Sequence, residues 1–173
     1  MKRDKIKWDG KYTSIDYQRK VSKLLVEIQS QMNIEAGTAL DIACGLGQNS
    51  LFLAEKGFKV DSLDISDIAL SQFSHPKVSK KQVDFDTYRF QENHYDLIID
   101  FYFLERRLFP YIIAALKPGG FFIFESFLSS KETFSNPDHK LRSQELLHAF
   151  LPLQIISYVE TDETATLVAK RVT

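Results

Sequence analysis

The sequence predicts a doubly wound α/β domain whose seven-stranded sheet is mostly parallel and ends in an antiparallel hairpin. Three observations support this fold class. Short apolar runs alternate with segments of helical periodicity, which is typical of a parallel sheet with helices on both faces. A glycine-rich turn joins the first apolar run to a helix. The last two strands are separated only by residues 161–163, whereas a parallel crossover needs about a dozen residues or more, so this pair must be antiparallel.

Length and composition restrict the class of protein further. The 173 residues fit one domain, and we expect residues 1–173 to form it. The 22 basic and 23 acidic residues leave a net charge of −1, which disfavours a nucleic-acid partner. Cys44 is the only cysteine, so neither an intramolecular disulfide nor a cysteine-rich zinc site is expected. His75, His94 and His148 have no ligand at metal-binding spacing, and no metal site is predicted.

The sequence also indicates where the protein acts. No segment is apolar for long enough to cross a membrane, and the charged start does not resemble a secretory signal. We therefore expect a cytoplasmic protein without a membrane partner. A monomer and a homodimer are both compatible with the sequence.

The first half of the chain is expected to begin irregularly. Residues 1–15 are polar and are expected to form a loop that serves as a flexible lid. Apolar residues at helical spacing predict an N-terminal helix over 16–31, capped by Ser14 or Asp16. Ser66 is the expected cap of a later helix. The remaining segments are predicted as strands at 38–42, 59–64 and 82–85 and as helices at 48–56 and 67–73.

The second half begins with the sequence Tyr-Asp-Leu-Ile-Ile-Asp-Phe at 95–101, which is a strong strand pattern. A helix over 104–116 follows, and Lys117-Pro118-Gly119-Gly120 is expected to end it. The remaining segments are predicted as strands at 121–127, 153–160 and 164–171 and as a helix at 143–150.

The most informative stretch follows the first predicted strand. Gly45 and Gly47 lie between that strand and a helix, where the absence of side chains lets the backbone approach a ligand closely. Asp64 ends the second strand, and an acidic residue there can accept hydrogen bonds from both hydroxyls of a ribose. In doubly wound sheets, ligands bind at the carboxyl ends of the strands. Together these residues predict a nucleoside ligand without specifying which one.

Two details distinguish among nucleoside ligands. Asp41 places a carboxylate just before the glycines, where it would repel a pyrophosphate and attract an ammonium or sulfonium group. Ser50 stands where a dinucleotide-binding motif has its third glycine. Both details disfavour a dinucleotide and favour an aminoacyl-nucleoside.

These motifs carry a family resemblance. Residues 40–49 (Leu-Asp-Ile-Ala-Cys-Gly-Leu-Gly-Gln-Asn) resemble the first motif of the class I S-adenosylmethionine-dependent methyltransferases, with Ala43 where that family often has a glycine. Residues 63–66 are similar to its second motif and residues 83–85 to its third. The resemblance implies a Rossmann-like fold with a terminal antiparallel hairpin. A finer resemblance, to small bacterial tellurite-resistance and thiopurine-type methyltransferases, is carried by residues 8–12, 103–106 and 124–127.

The resemblance implies S-adenosylmethionine as cofactor and assigns residues to it. Asp41 and the loop 43–47 would hold its amino-acid part, Asp64 its ribose and Asp84 its adenine. Tyr12 would close over the sulfonium, since aromatic faces suit a cation. The residues expected to contact the donor are Tyr12, Asp41, Ala43, Cys44, Gly45, Gly47, Asn49, Asp64, Ile65, Asp84, Phe85, Asp100 and Phe101.

The methyl acceptor is predicted to be a small molecule, with a thiol and a chalcogen or metalloid oxyanion as candidates. The chain is nearly all core fold and has no added domain to grip a macromolecule. Arg106 is a candidate clamp for an anionic acceptor, because a guanidinium binds anions in bidentate fashion. Glu125 and His139 are candidate acid or base groups.

Two other functions remain open at this point. The first is a nicotinamide-dependent oxidoreductase, although Asp41 and the absent third glycine argue against it. The second is a donor-binding protein that has lost catalysis. The short connection from Asp84 to Tyr95, which lacks a full helix pattern, is compatible with such a trimmed member.

Overall fold

The computed structural model describes residues 2–13, 20–32, 34–129 and 139–173. A 3₁₀ turn, Arg106–Leu108, precedes the fifth helix. The helices in the described residues are α1 (Lys2–Tyr12), α2 (Lys23–Gln31), α3 (Gln48–Glu55), α4 (Asp67–Ser71), α5 (Phe109–Ala115) and α6 (Glu145–Ala149). The strands are β1 (Thr38–Ile42), β2 (Lys59–Asp64), β3 (Val78–Gln82), β4 (Tyr95–Phe101), β5 (Leu116–Phe127), β6 (Gln154–Glu160) and β7 (Thr164–Lys170).

The strands form one sheet in the order β3-β2-β1-β4-β5-β7-β6. The pairs β1–β2, β2–β3 and β4–β5 are parallel, and β7 runs antiparallel to both β5 and β6. The predicted fold class, a seven-stranded and mostly parallel sheet with a C-terminal antiparallel pair and helices around it, is confirmed. The chain divides into two compact units, residues 1–89 and 90–173, which are described in turn.

The first unit contains α1 to α4 and the parallel strands β1 to β3. Four of the five β1 residues are buried, because this strand lies inside the sheet. Ser66 caps α4 as predicted, since its hydroxyl accepts the N–H of Ala69 at 3.1 Å. β3 is exposed along most of its length and carries Lys80 and Lys81, which protects a sheet edge from pairing with another chain.

The second unit contains β4 to β7, α5 and α6. Its core is aromatic: the ring of Phe150 lies 4.8 Å from that of Phe122 and 4.9 Å from that of Phe109. Phe122 and Phe124 lie on one face of β5, and Ile123 between them is fully buried on the opposite face. This cluster packs the end of α6 and the start of α5 against the strands.

The start of the chain differs from the prediction. The polar sequence predicts a loop over residues 1–15, whereas the structure has the helix α1. An ion pair one helical turn apart, Lys5 to Asp9 at 2.6 Å, supports this helix. A helix that buries little more than Tyr12 leaves no apolar stripe in the sequence, and the prediction was wrong for that reason.

The predicted helix over 16–31 begins later, at Lys23. Ser22 is its cap, because its hydroxyl accepts the N–H of Leu25 at 3.3 Å. Ser14 and Asp16, which the sequence suggested as caps, lie outside the described residues.

The third strand is also displaced from its predicted position. The prediction placed the strand at 82–85 because Val83 and Phe85 are apolar and alternate with polar residues. In the structure β3 occupies Val78–Gln82. It pairs with β2 from Val78, opposite Val60, to Gln82, opposite Asp64. A polar edge strand lacks the apolar run by which buried strands are found, so backbone pairing alone reveals it.

The predicted helix over 104–116 is divided in the structure. α5 starts only at Phe109, and Pro110 lies in its first turn, where a missing N–H costs no helical hydrogen bond. Residues 117–120 belong to β5 instead of ending a helix. The N–H of Gly119 donates to the carbonyl of Arg171 at 2.7 Å, which holds this stretch in the sheet. None of the helices among the described residues has the length and apolarity to cross a membrane.

Candidate functional site

The loop between β1 and α3 has an unusual backbone. Ala43, Gly45 and Gly47 have φ angles of 53°, 54° and 77°, in the left-handed region that favours glycine. A Cβ on Gly47 would lie 2.5 Å from ring carbons of Phe73, so this position requires glycine. Ala43 adopts the same region at a cost in strain, and such strain is typical of functional loops.

Asp64 fastens this loop to the end of β2. Its side chain is buried at 4% exposure, and its two oxygens accept the N–H groups of Gly45 at 2.8 Å and Ser66 at 2.9 Å. The two bonds orient the carboxylate between the loop and α4. Each carboxylate oxygen can accept more than one hydrogen bond, so Asp64 keeps capacity for the hydroxyls of a ligand.

Asp41 is the second buried carboxylate of the first unit, at 2% exposure. The Ser50 hydroxyl donates to it at 2.6 Å, and Ser50 in turn accepts a hydrogen bond from Ser62 at 2.6 Å. Burial raises the pKa of Asp41 to about 7, opposed by the Ser50 hydrogen bond and assisted by the nearby Asp64 charge. A ligand cation beside Asp41 would therefore favour its ionised form.

The sequence analysis missed the two serines of this chain of hydrogen bonds. Ser50 was noticed only because it replaces a glycine, yet in the structure it is the partner of Asp41. Ser62 lies on β2 with its side chain fully buried. The available signal was that Ser62 follows Val60 by two residues and so shares its face of the strand, because a polar residue on a buried face needs a hydrogen-bond partner.

Tyr12 reaches the glycine loop from α1. Its side chain is 7% exposed, and its hydroxyl would lie 2.8 Å from a Cβ placed on Gly45. The close contact is available because Gly45 has no side chain. Tyr12 therefore covers the loop.

Polar contacts hold α1 against α4. Ser66 donates from its hydroxyl to Asp9, and Gln72 donates from its side chain to the carbonyl of Tyr12 at 3.0 Å. Lys5 pairs with both Asp9 and Asp67, and these carboxylates raise its pKa. The predicted loop is thus a docked helix at this site.

Asp84 and Phe85 follow β3 and are half-buried. The Asp84 carboxylate accepts the N–H of Asp86 at 3.0 Å, which closes a local turn. The N–H of Val83 donates to the Asp64 carbonyl at 2.9 Å, so this turn begins beside the end of β2. Ile65 is likewise half-buried at that strand end.

Two predicted donor contacts serve the fold in the structure. The side-chain oxygen of Asn49 accepts the N–H of Ser22 at 2.9 Å, which ties the start of α2 to α3. Cys44 is buried, and burial raises the pKa of its thiol well above the ordinary value. A thiol in that state is a poor nucleophile.

In the second unit, Asp100 and Phe101 are buried at the carboxyl end of β4. Glu125 lies opposite Phe101 on β5 and is half-buried. The hydroxyl of Tyr102 donates to the Glu125 carboxylate. Tyr102 was not among the residues singled out from the sequence.

Arg106 is held within the second unit. Its Nε and Nη2 donate to the two carboxylate oxygens of Glu145 at 2.5 and 3.0 Å, and Nη2 also donates to the carbonyl of Lys140 at 2.9 Å. This bidentate pair holds residues 140–145 beside the 3₁₀ turn. His139 is exposed next to that segment. The described residues contain no group of three or more His, Cys, Asp or Glu that could hold a metal ion.

Comparison with known proteins identifies the family. A family model described as a methyltransferase domain matches residues 13–171. The chain therefore belongs to this family of methyltransferase domains. The predicted resemblance to class I S-adenosylmethionine-dependent methyltransferases is confirmed.

Two curated relatives are similar over part of their length. The Bacillus subtilis protein YqeM, named as a methyltransferase, is 52% identical over 48 residues, which cover 28% of this chain and 19% of YqeM. The Haemophilus influenzae protein TehB, named as an S-adenosyl-L-methionine-dependent methyltransferase, is 31% identical over 106 residues, which cover 54% of this chain and 37% of TehB. These sequence alignments thus cover less than half the length of either relative.

Solved structures share the fold. The crystal structure of Haemophilus influenzae TehB superposes with a TM-score of 0.76 at 20% identity, covering 96% of this chain and 66% of TehB. Phosphoethanolamine N-methyltransferase 2 of Haemonchus contortus, determined in complex with S-adenosyl-L-methionine, gives a TM-score of 0.77 at 14% identity and covers 97% of this chain and 57% of its own. The family match leaves the nicotinamide-dependent oxidoreductase without support.

Proposed function

We propose that this protein transfers a methyl group from S-adenosylmethionine to a small-molecule acceptor. The observation that carries the proposal is the pair of buried carboxylates, Asp41 and Asp64, on either side of the glycine loop. Two buried acids would repel a pyrophosphate, whereas an aminoacyl-nucleoside offers an ammonium group and a ribose diol. The residues present therefore fit this cofactor.

The donor-binding roles follow from these contacts. Asp64 is already oriented by two N–H groups and would accept the ribose hydroxyls. Asp41 would balance the ammonium charge, and the loop would approach the amino-acid part at Gly45. Tyr12 would cover the loop. The other proposed contacts are Ala43, Cys44, Gly47, Asn49, Ile65, Asp84, Phe85, Asp100 and Phe101.

S-adenosylmethionine supplies an activated methyl group on a sulfonium, so the chain needs no strong electrophile of its own. The protein's residues bind and orient the reactants and exclude water, which are large contributions to such a displacement. The buried loop, with Tyr12 packed on Gly45, provides a water-poor surface for this purpose.

The acceptor side is proposed more narrowly. The sequence predicts a thiol or a chalcogen or metalloid oxyanion as acceptor, with Arg106, Glu125 and His139 as candidate groups, whereas the aromatic contacts around Glu125 favour an amine. The contacts of Arg106 with Glu145 favour a role in holding the fold. Glu125 lies at the carboxyl end of a strand, where ligands of doubly wound sheets bind. A cytoplasmic location and a monomeric or homodimeric state stay predictions.

Calorimetric titration with S-adenosylhomocysteine tests the donor site. We expect saturable one-to-one binding, and a weakening by about 100-fold for Asp64→Ala, because hydrogen bonds to a charged group contribute about 1.5–3 kcal/mol each. Asp61→Ala is the matched control, since Asp61 lies on the same strand and pairs with Lys81 at 3.6 Å. NAD should not compete.

Circular dichroism checks that the Asp64 variant is folded, and Asp64→Asn serves as a second variant if Asp64→Ala is not. Unchanged affinity in a folded Asp64 variant, or tighter binding of NAD than of S-adenosylhomocysteine, would contradict the proposal.

A donor-binding protein without turnover is a second candidate. The observation in its favour is that residues 83–94 form turns and no helix, so the connection between β3 and β4 is short. Release of S-adenosylhomocysteine in the presence of any acceptor from a panel of thiols, amines and oxyanions would exclude this candidate.

A further inference from the structure

The backbone turns sharply at Tyr102, directly after β4. Its φ of 64° lies in the left-handed region, which a bulky residue seldom adopts. Two contacts with one residue hold this conformation. The Tyr102 N–H donates to the Glu125 carbonyl at 2.7 Å, and its hydroxyl donates to the Glu125 carboxylate. Strain that is held by specific contacts is typical of binding and catalytic sites.

Glu125 lies where a ligand would be expected in such a sheet. It is the partner of Phe101, the last residue of β4, in the parallel pair of β4 and β5. Phe127 follows two residues later on the same face of β5. Its ring centre is 5.0 Å from that of Tyr102, and the two side chains are 49% and 38% exposed. One carboxylate and two accessible aromatic rings thus form a cluster.

The charges of the following turn do not offset this carboxylate. The Arg107 guanidinium donates to Glu105 at 2.8 and 2.9 Å, and that of Arg106 donates to Glu145. Both arginines are therefore engaged with acids of their own unit. The cluster of Tyr102, Glu125 and Phe127 consequently presents negative charge and aromatic faces, a combination that attracts cations.

We propose that Tyr102, Glu125 and Phe127 bind the methyl acceptor as an ammonium ion, so that the acceptor is an amine and not an oxyanion. The inference rests on the proposed methyl transfer and deepens it. Glu125 pairs with the ammonium group, and the two rings flank it. Tyr102 is a positioning residue for Glu125, because its hydroxyl fixes the direction of the carboxylate.

The same carboxylate serves the transfer step. An ammonium nitrogen has no lone pair, so it must first lose one proton, which Glu125 accepts. The freed nitrogen lone pair forms the bond to the methyl carbon as the carbon–sulfonium bond breaks, and that electron pair stays on the thioether sulfur of the product. The products are a methylated ammonium ion, S-adenosylhomocysteine and a protonated Glu125, which returns its proton to water.

Binding of two probes, benzyltrimethylammonium and selenite, tests the proposal without turnover. We expect the full protein to bind benzyltrimethylammonium saturably by calorimetry and not to bind selenite. Glu125→Gln should weaken ammonium binding by about fivefold, because the change removes the charged partner of a partly exposed ion pair. Glu92→Gln, an exposed acid of the same unit, is the matched control.

Tyr102→Phe separates positioning from support of the fold. A positioning role predicts weaker ammonium binding with unchanged affinity for S-adenosylhomocysteine and an unchanged melting temperature. Tyr111→Phe, on the exposed face of α5, should change none of these. If Tyr102→Phe lowers the melting temperature and weakens the binding of both benzyltrimethylammonium and S-adenosylhomocysteine, Tyr102 has a merely structural role. That result would overturn its assignment as a positioning residue.

Three outcomes overturn the ammonium site as a whole: no binding of benzyltrimethylammonium, unchanged binding in Glu125→Gln, or binding of selenite in its place. The donor titration distinguishes these from failure of the methyltransferase proposal. If S-adenosylhomocysteine binds while benzyltrimethylammonium does not, only the acceptor assignment fails. If S-adenosylhomocysteine does not bind, the proposed function itself fails.

Discussion

The two units hold their carboxylates in opposite settings. In the first unit, Asp41 and Asp64 are buried, and serine hydroxyl or backbone N–H groups orient them. In the second unit, Glu125 is half-buried and a phenol from an exposed tyrosine orients it. A buried acid is stable only with matched partners, so it specifies a narrow class of ligand. An accessible acid exchanges partners with water, and its ligand depends on the few side chains around it.

The strongest way to sharpen this comparison is the pH dependence of stability in the first unit. The pKa of Asp41 is raised from 3.8 to about 7, so over this window the folded state keeps a proton that the unfolded state has lost. The stability that this retained proton provides is fully present below the pKa of Asp41 in the unfolded chain. It is lost as the pH rises through the pKa of Asp41 in the folded protein. We expect wild type to lose about 4 kcal/mol of unfolding free energy relative to Asp41→Asn between about pH 4 and 8.

Urea denaturation of both proteins across this range measures the effect. Asp96→Asn is a control in the second unit, where the Asp96 carboxylate pairs with Lys117 at 2.8 Å near the surface. Parallel stability curves for wild type and Asp41→Asn would show that Asp41 is ionised in the folded state, and the contrast between the two units would be lost.

A pair of glycine substitutions compares the backbones of the two units. Gly47→Ala should destabilise the protein by about 3 kcal/mol, because the added Cβ meets Phe73 in addition to the left-handed strain. Gly119→Ala has a similar φ of 83° but nothing within 4 Å of the added Cβ. It should cost only about 1–2 kcal/mol, since the backbone conformation is the only penalty.

The difference between the two glycine variants therefore measures the packing of Phe73 on the loop. Gly47→Ala should cost less in a Phe73→Ala background than in wild type, as determined by chemical denaturation of both pairs. Equal costs at Gly47 and Gly119 would mean that the loop yields to the added methyl group and is not tightly packed.

The smallest expected effect concerns Arg106 in the second unit. Arg106→Lys loses the bidentate contact with Glu145 and should cost about 1 kcal/mol, because the pair is partly exposed and lysine cannot reproduce the fork. Thermal melting measures this loss. A different result would be unchanged stability, together with selenite binding by the wild type that is absent in the variant. Arg106 would then be an acceptor clamp, and the second unit would bind an anion instead of a cation.

How far the sequence leads can be judged from particular elements. The bounds of β1, β2 and β4 agree with prediction, and for β1 and β4 the reason is that buried strands are mostly apolar runs. The helix α1 and the strand β3 do not agree, since both are polar and are held by contacts with α4 and β2 respectively. Local patterns find elements that bury their own apolar face and miss those that depend on a neighbour.

The candidate site divides in the same way. The glycine loop and Asp64 follow from a motif, and the structure joins them by the hydrogen bond between Gly45 and Asp64. The contact of Tyr102 escaped the sequence analysis because Glu125 is 23 positions away, and that of Arg106 escaped it because Glu145 is 39 positions away. Neither pairing leaves a trace in residue spacing.

The sequence by itself determined the fold class, the methyltransferase family and the position of the glycine loop between β1 and α3, because strand periodicity and contiguous motifs are local properties of the chain. Only the tertiary structure decided which polar groups meet: the serines beside Asp41, the phenol on Glu125 and the carboxylate on Arg106. The physical reason is that burial and hydrogen bonding depend on distance in space, and distant segments come together only when the strands and helices pack.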